Sequence, residues 1–259
     1  NKNEVGHSVQ QTSDGGYIVA GETNSFGAGG IDVYLVKTDS SGNKQWEETF
    51  GDYGYDAAHS VQQTSDSGYI VVGHIETPEG GTGKDVYLVK TDSSGNKQWE
   101  KTYGGKIPGK NFDYGYSVQQ TSDSGYIVAG YTTSFPKPPG GFYVLKANSN
   151  GDLQWEKNLG VTGIEHAYSV KQTNDGGYIV TGYSNAFEPG GSDVYLIKLS
   201  SDSNPNPTCT DGIKNGDEDG VDCGGSCSAV CGYCKPLIEN GPSWNKIDIV
   251  FVPDKTYNG

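Results

Sequence analysis

Arginine and methionine are absent from this chain of 259 residues, and cysteine is absent from its first 208. Without arginine there is no planar fork to grip phosphates or guanine edges. The formal charge of -14 then opposes nucleic acid and anionic lipid surfaces alike. No apolar run approaches the ~20 residues that a membrane-spanning helix needs, so no membrane span is expected. The opening NKNEVGHSVQ is polar, does not begin with methionine and does not read as a signal peptide. The expectation is a chain that begins after processing or is a piece of something longer. Apolar residues are also scarce, at 33%, while glycine reaches 40 residues and tyrosine outnumbers phenylalanine 18 to 7. That balance suits short strands joined by tight turns better than helices.

Against these absences stands one repeated motif. QTSDGGYIVAG at Gln11 returns as QTSDSGYIVVG at Gln63, QTSDSGYIVAG at Gln120 and QTNDGGYIVTG at Gln172, at spacings of 52, 57 and 52 residues. Repetition at this period implies units that bury their apolar surface against one another. The second unit divides into four extended runs: HSVQQT, GYIVVGHI, DVYLVKTD and KQWEKTYG. YIVV and VYLV are apolar on both faces, as strands covered on both sides must be. The fold class predicted is all-β, a β-propeller of four-stranded antiparallel blades with four repeats, the last incomplete, followed by a small disulfide-rich segment. Trp46, Trp99 and Trp155 recur in the fourth run and are expected to pack between blades. Lys37, Lys90, Lys146 and Lys198 recur in the third. Four copies of one residue cannot share one active site, so a repeated structural ion pair is the expected role.

The domain boundaries follow from composition. Residues 1–200 hold the repeats, in units near 7–58, 59–115, 116–167 and 168–200. Residues 201–208 form a proline-punctuated linker, 209–234 a cysteine-rich module, and 235–259 either the start of a further domain or a strand completing a blade. The fourth unit lacks a tryptophan run, which leaves a blade edge open to pairing. Upstream blades, the run Ile247 to Val252 or a donated strand could each fill it.

The four copies differ chiefly in two connections, those between runs two and three and those between units. In an antiparallel blade both emerge on the same side, which marks that face for recognition. It carries Phe26, Tyr53, Tyr55, Phe112, Tyr114, Phe135, Glu165, His166 and Phe187 as candidate ligand-binding residues. Aromatic rings beside carboxylates suit a carbohydrate or protein ligand. Asp113 and Glu165 could form an acid and base pair, but no motif marks catalytic residues and none is assigned. His7, His59, Tyr116 and Tyr168 open the first runs and are expected to ring the mouth of the channel.

All five cysteines, Cys209, Cys223, Cys227, Cys231 and Cys234, fall within 26 residues. Such clustering reads as a disulfide module of an oxidising compartment, and hence as an extracellular or cell-surface protein. Within it Asn215, Asp217 and Asp219 alternate ahead of Gly220, as in the first half of a calcium loop. Val221 or Asp222 would complete a weaker site, since the twelfth position is Ser226 rather than glutamate. Calcium is therefore the one cofactor expected, since the acidic, secretory setting favours disulfides over zinc at the cysteines.

The unit with GGYIVAG, DVYLVK, DSSGN and a tryptophan strand resembles β-propeller repeats of secreted and cell-surface proteins of bacteria and archaea. CTDGIKNGDEDGVDCGGSC resembles a cysteine-rich linker module of large extracellular prokaryotic proteins. KIDIVFVPDKTYNG is similar to the opening strand of the IgA-specific metallopeptidase family, although its H-E-x-x-H motif does not occur in this chain. These likenesses imply a non-enzymatic propeller that serves as a recognition or assembly module, with self-assembly through the open edge. The alternative is part of a secreted hydrolase, with a peptidase domain downstream or with a propeller that itself cleaves glycans.

Overall fold

The computed structural model describes residues 2–76, 83–104, 111–135, 140–160, 163–186, 191–200 and 248–249. Every described element is a β-strand, and the strands form four antiparallel sheets of four strands each. Blade 1 is β1 (Glu4–Gln11), β2 (Tyr17–Thr23), β3 (Asp32–Thr38) and β4 (Lys44–Phe50). Blade 2 is β5 (Ala57–Gln63), β6 (Tyr69–Glu76), β7 (Lys84–Thr91) and β8 (Lys97–Tyr103). Blade 3 is β9 (Asp113–Gln120), β10 (Tyr126–Thr132), β11 (Gly141–Ala147) and β12 (Leu153–Asn158). Blade 4 is β13 (Glu165–Gln172), β14 (Tyr178–Ser184), β15 (Asp193–Leu199) and β16 (Asp248–Ile249). The fold is the all-β propeller architecture that the repeat predicts. β16 pairs antiparallel with β15, in the fourth-strand place that the fourth repeat does not itself supply.

Each blade gives one face to the next, so the cores lie between blades. Ile18, Ala20, Val33 and Leu35 of blade 1 meet Val61, Tyr69, Val71 and Tyr87 of blade 2. Equivalent residues join blades 2 and 3, and blades 3 and 4. The tryptophans of the fourth strands lie edge-on to the tyrosine that opens the next blade's second strand: Trp46 to Tyr69, Trp99 to Tyr126 and Trp155 to Tyr178. This is the interblade role expected of them.

The hairpin between the first two strands is held by the repeated lysine. Lys37, Lys90, Lys146 and Lys198 each lie 2.8 Å from the turn aspartate of their own blade: Asp14, Asp66, Asp123 and Asp175. The ion pair expected of these lysines is present in all four copies. The glycine after the aspartate is required by close approach, since a Cβ on Gly16 would stand 2.1 Å from the Thr38 carbonyl and 2.6 Å from the Lys37 ammonium.

A second handover is polar. Ser8 Oγ accepts the Val61 N–H at 3.2 Å and Gln10 Oε1 accepts the Gln63 N–H at 2.6 Å. Ser60 and Gln62 do the same for Val118 and Gln120, as Ser117 and Gln119 do for Val170 and Gln172. The Ser-x-Gln of each first strand thus satisfies the outward N–H groups of the first strand that follows.

Candidate functional site

One irregularity builds the site. In every first strand the register shifts by one residue, and the extra residue is His7, His59, Tyr116 or Tyr168. A bulge of this kind bends the strand and re-aims a side chain. The glycine in YIVxG makes room for it: a Cβ on Gly73 would stand 1.8 Å from the Ala57 carbonyl, and one on Gly130 1.7 Å from the Tyr114 carbonyl.

Around each bulge two further positions converge. The residue after the glycine is Glu22, His74, Tyr131 or Tyr183, and the residue two before the bulge is Val5, Ala57, Tyr114 or His166. Their rings form one continuous aromatic surface across blades 1 to 4. His7 meets His59 at 5.7 Å, His59 meets Tyr116 at 5.4 Å, and Tyr116 meets Tyr168 at 5.3 Å between centroids. His74 meets Tyr114 at 4.9 Å, and Tyr131 stacks on His166 at 4.2 Å with only 7° between their planes. His166 in turn stacks on Tyr183 at 5.1 Å.

At the blade 1 end the surface becomes charged. Tyr55 donates its hydroxyl to Glu22 at 3.1 Å, and Glu76 accepts the Tyr55 N–H at 2.8 Å. His7 Nε2 lies 3.6 Å from Glu22, whose side chain keeps 17% of its surface exposed. The Lys84 ammonium sits 3.8 Å above the Tyr55 ring and 2.8 Å from His74 Nε2. An ammonium only donates, so His74 Nε2 accepts, and its Nδ1–H points at His59 Nε2, 3.1 Å away. Burial, followed by the charges of His7 and Lys84, pushes the His59 imidazole down to about 4. Burial, with the charges of Lys84, His59 and His7, carries His74 still further below the usual histidine range. Burial also lowers Lys84, against the opposing pull of Glu76, Asp56 and Glu22.

Of the loop-face candidates, Tyr55, Tyr114 and His166 join this surface. Phe26 and Phe135 fold back on Tyr34 and Tyr143 of their own blades. Tyr53 is 87% exposed and makes no ring contact among the described residues, and Phe112 sits half-buried beside Thr133. Glu165 does not belong to a ligand-binding face: it is 0% exposed, at the junction of blades 3 and 4, with Ser184 bonding its carboxylate. Asp113 is equally buried beneath the hydroxyls of Thr132 and Ser134. The pair considered for acid and base chemistry is therefore out of reach of substrate. Phe187, the calcium candidates Asn215, Asp217, Asp219, Val221 and Asp222, and all five cysteines lie outside the described residues.

The sequence reading missed Glu22, His74, Tyr131, Tyr183 and Lys84. A signal for four of them existed: the residue after YIVxG changes from copy to copy in an otherwise constant run. Among the described residues no group of three His, Cys, Asp or Glu could hold a metal ion. No described helix is long and apolar enough to cross a membrane.

No protein-family model matches the chain, and no curated protein matches it. Among solved structures it aligns with the endo-arabinase of Bacteroides thetaiotaomicron at 12% identity and a TM-score of 0.42, covering 76% of each chain. It aligns with Bacillus subtilis levansucrase at 8% identity and a TM-score of 0.42, covering 79% of this chain and 70% of that one. Likenesses this distant transfer no residue role. Both proteins are enzymes, however, and the expectation of a non-enzymatic recognition or assembly module is corrected on that finding.

Proposed function

We propose that this chain is a glycan-cleaving propeller whose substrate lies along the histidine and tyrosine surface, with Glu22 and Glu76 at the reacting end. The observation that carries the reading is the continuous run of rings from His7 to Tyr183, which ends at a reachable carboxylate. Sugar rings present flat C–H faces that stack on aromatic rings, while their hydroxyls need hydrogen-bonding partners at the rim. Tyrosine hydroxyls and neutral imidazoles supply both in one layer, and a neutral imidazole both donates and accepts.

Cleavage of a glycosidic bond calls for one carboxylic acid to protonate the leaving oxygen and one carboxylate opposite it. Glu22 and Glu76 flank Tyr55 at its hydroxyl and its backbone N–H, and the Lys84 charge lies near both. The His74 to His59 bond fixes the imidazole tautomers beside them. The cysteine cluster of the sequence supports an extracellular location for this activity.

The test is release of new reducing ends from a panel of polysaccharides by the 259-residue chain. The reading predicts turnover on at least one polymer and a loss of about 100-fold or more in kcat for Glu22→Gln. Equal turnover by Glu22→Gln, or none by the unsubstituted chain on any polymer, would overturn it.

A further inference from the structure

The two end faces of the propeller are not alike. Val61, Val118 and Val170 are 6%, 5% and 0% exposed between blades, whereas the equivalent Val9 of blade 1 is 67% exposed. Tyr69, Tyr126 and Tyr178 are 1%, 2% and 2% exposed, whereas Tyr17 is 37% exposed. Among the described residues three cores join successive blades, and none joins blade 4 to blade 1.

The face of blade 1 nevertheless keeps every feature by which blades 2 to 4 receive the blade before them. Val9, Tyr17, Val19 and Gln11 repeat Val61, Tyr69, Val71 and Gln63. Glu4 stands where Asp56, Asp113 and Glu165 are each 0% exposed, yet Glu4 is exposed. The far face of blade 4 keeps Ile179, Val194 and Leu196 where blade 1 has Ile18, Val33 and Leu35, but has lost other parts of the complementary set. Lys171 replaces the glutamine that accepts at Gln10, Gln62 and Gln119, and an ammonium cannot accept an N–H. Thr181 replaces Ala20, Val72 or Ala129. Two polar residues thus stand where the internal interfaces place an acceptor and a small apolar residue.

We infer that the exposed face of blade 1 is an interface for a further blade of this same repeat, placed directly ahead of β1. The incoming blade would carry Ser-x-Gln on its first strand and tryptophan on its last, as blades 1 to 3 do. Packed in the order of successive blades, a second copy of this chain would offer only the altered face of blade 4, so the partner proposed is an incoming blade of the repeat.

The experiment joins a copy of residues 53–104, which carry the strands of blade 2, ahead of Asn1 and follows amide hydrogen exchange. The proposal expects the Val9 and Gln11 amides to slow by about 100-fold or more, toward the rates of Val61 and Gln63. The same fusion carrying Gln62→Lys and Val72→Thr in the added copy, which reproduces the far face of blade 4, should give no such protection. Exchange at Val9 and Gln11 as fast as in the unfused chain, or equal protection from both fusions, would overturn the proposal. So would an added blade whose own amides stay unprotected, or sedimentation showing that the unfused chain forms dimers that Val9→Lys abolishes.

Discussion

The imidazoles of His59 and His74 lie 3.1 Å apart, Nε2 to Nδ1, with the Lys84 ammonium against the far nitrogen of His74. A proton added to this pair would face both Lys84 and lost solvent, so both rings stay neutral in the folded chain. Histidines held below their ordinary value contribute stability above about pH 6.5, and that contribution falls away as pH drops toward 4. A His59→Asn, His74→Asn chain should be less stable at pH 7.5 but lose less on acidification from 6.5 to 4. Urea midpoints across that range check it, and parallel profiles for the two chains would contradict it.

Asp85 has the opposite sign. Burial, and then the neighbouring Asp113, raises it to about 6. A raised carboxyl contributes stability below its unfolded value near 3.8, and that stability is lost as pH climbs through about 6. Asp85→Asn should therefore stabilise the fold at pH 7.5 by on the order of 1 kcal/mol, a figure reduced for partial exposure, with no gain at pH 4. Thermal denaturation at the two pH values checks the difference.

Lys146 is 1% exposed, and its ammonium bonds Asp123 at 2.8 Å and Gln154 at 3.0 Å. Burial raises Asp123, but Lys146, Thr121 and the Gly125 N–H outweigh it and bring the carboxyl to about 2. Lys146→Met should cost about 1–3 kcal/mol at pH 7 by removing the buried ammonium's bonds to Asp123, Gln154 and the Ala147 carbonyl. Turnover should be unchanged, because this hairpin lies at the other end of the blade from the aromatic surface. A drop in activity that exceeds the drop in folded fraction would contradict the structural role.

Two turns carry strain that two others avoid. Ser67 and Ser124 sit at φ of 68° and 66°, whereas Gly15 and Gly176 fill the same place at 84° and 79°. Ser67→Gly and Ser124→Gly should each raise stability by roughly 0.5–1 kcal/mol and add independently. Gly73→Ala should do the reverse, since its Cβ would meet the Ala57 carbonyl at 1.8 Å and flatten the bulge that aims His59. Denaturant midpoints measure both, and a stabilised Gly73→Ala would contradict the account of the bulge.

Much of the scaffold was legible because it is periodic. The doubly apolar YIVV and VYLV runs, the tryptophans and the lysines recur for structural reasons, and their roles follow from recurrence. The surface was only partly legible. His7, His59, Tyr116 and Tyr168 could be placed at the channel, but the bulge that turns them inward depends on pairing with a neighbouring glycine. Glu165 misled because it borders a variable connection, yet it is the first residue of β13 and is buried at the junction with blade 3. Lys84 is placed by its pairing with Glu76 and by its N–H, which bonds the Asn111 carbonyl of the following connection, a contact that no local pattern announces.

The central claim is that the ring surface holds a glycan. Calorimetric affinity of a cleaved polymer's oligosaccharide for the Glu22→Gln chain, with and without Tyr116→Ala, tests it most directly. Tyr116 contacts His59, His166 and Tyr168, so its removal breaks the surface at its centre. The account predicts a loss of about 10-fold or more, the worth of roughly 1.4 kcal/mol of stacking. Unchanged affinity in a folded Tyr116→Ala chain would contradict it.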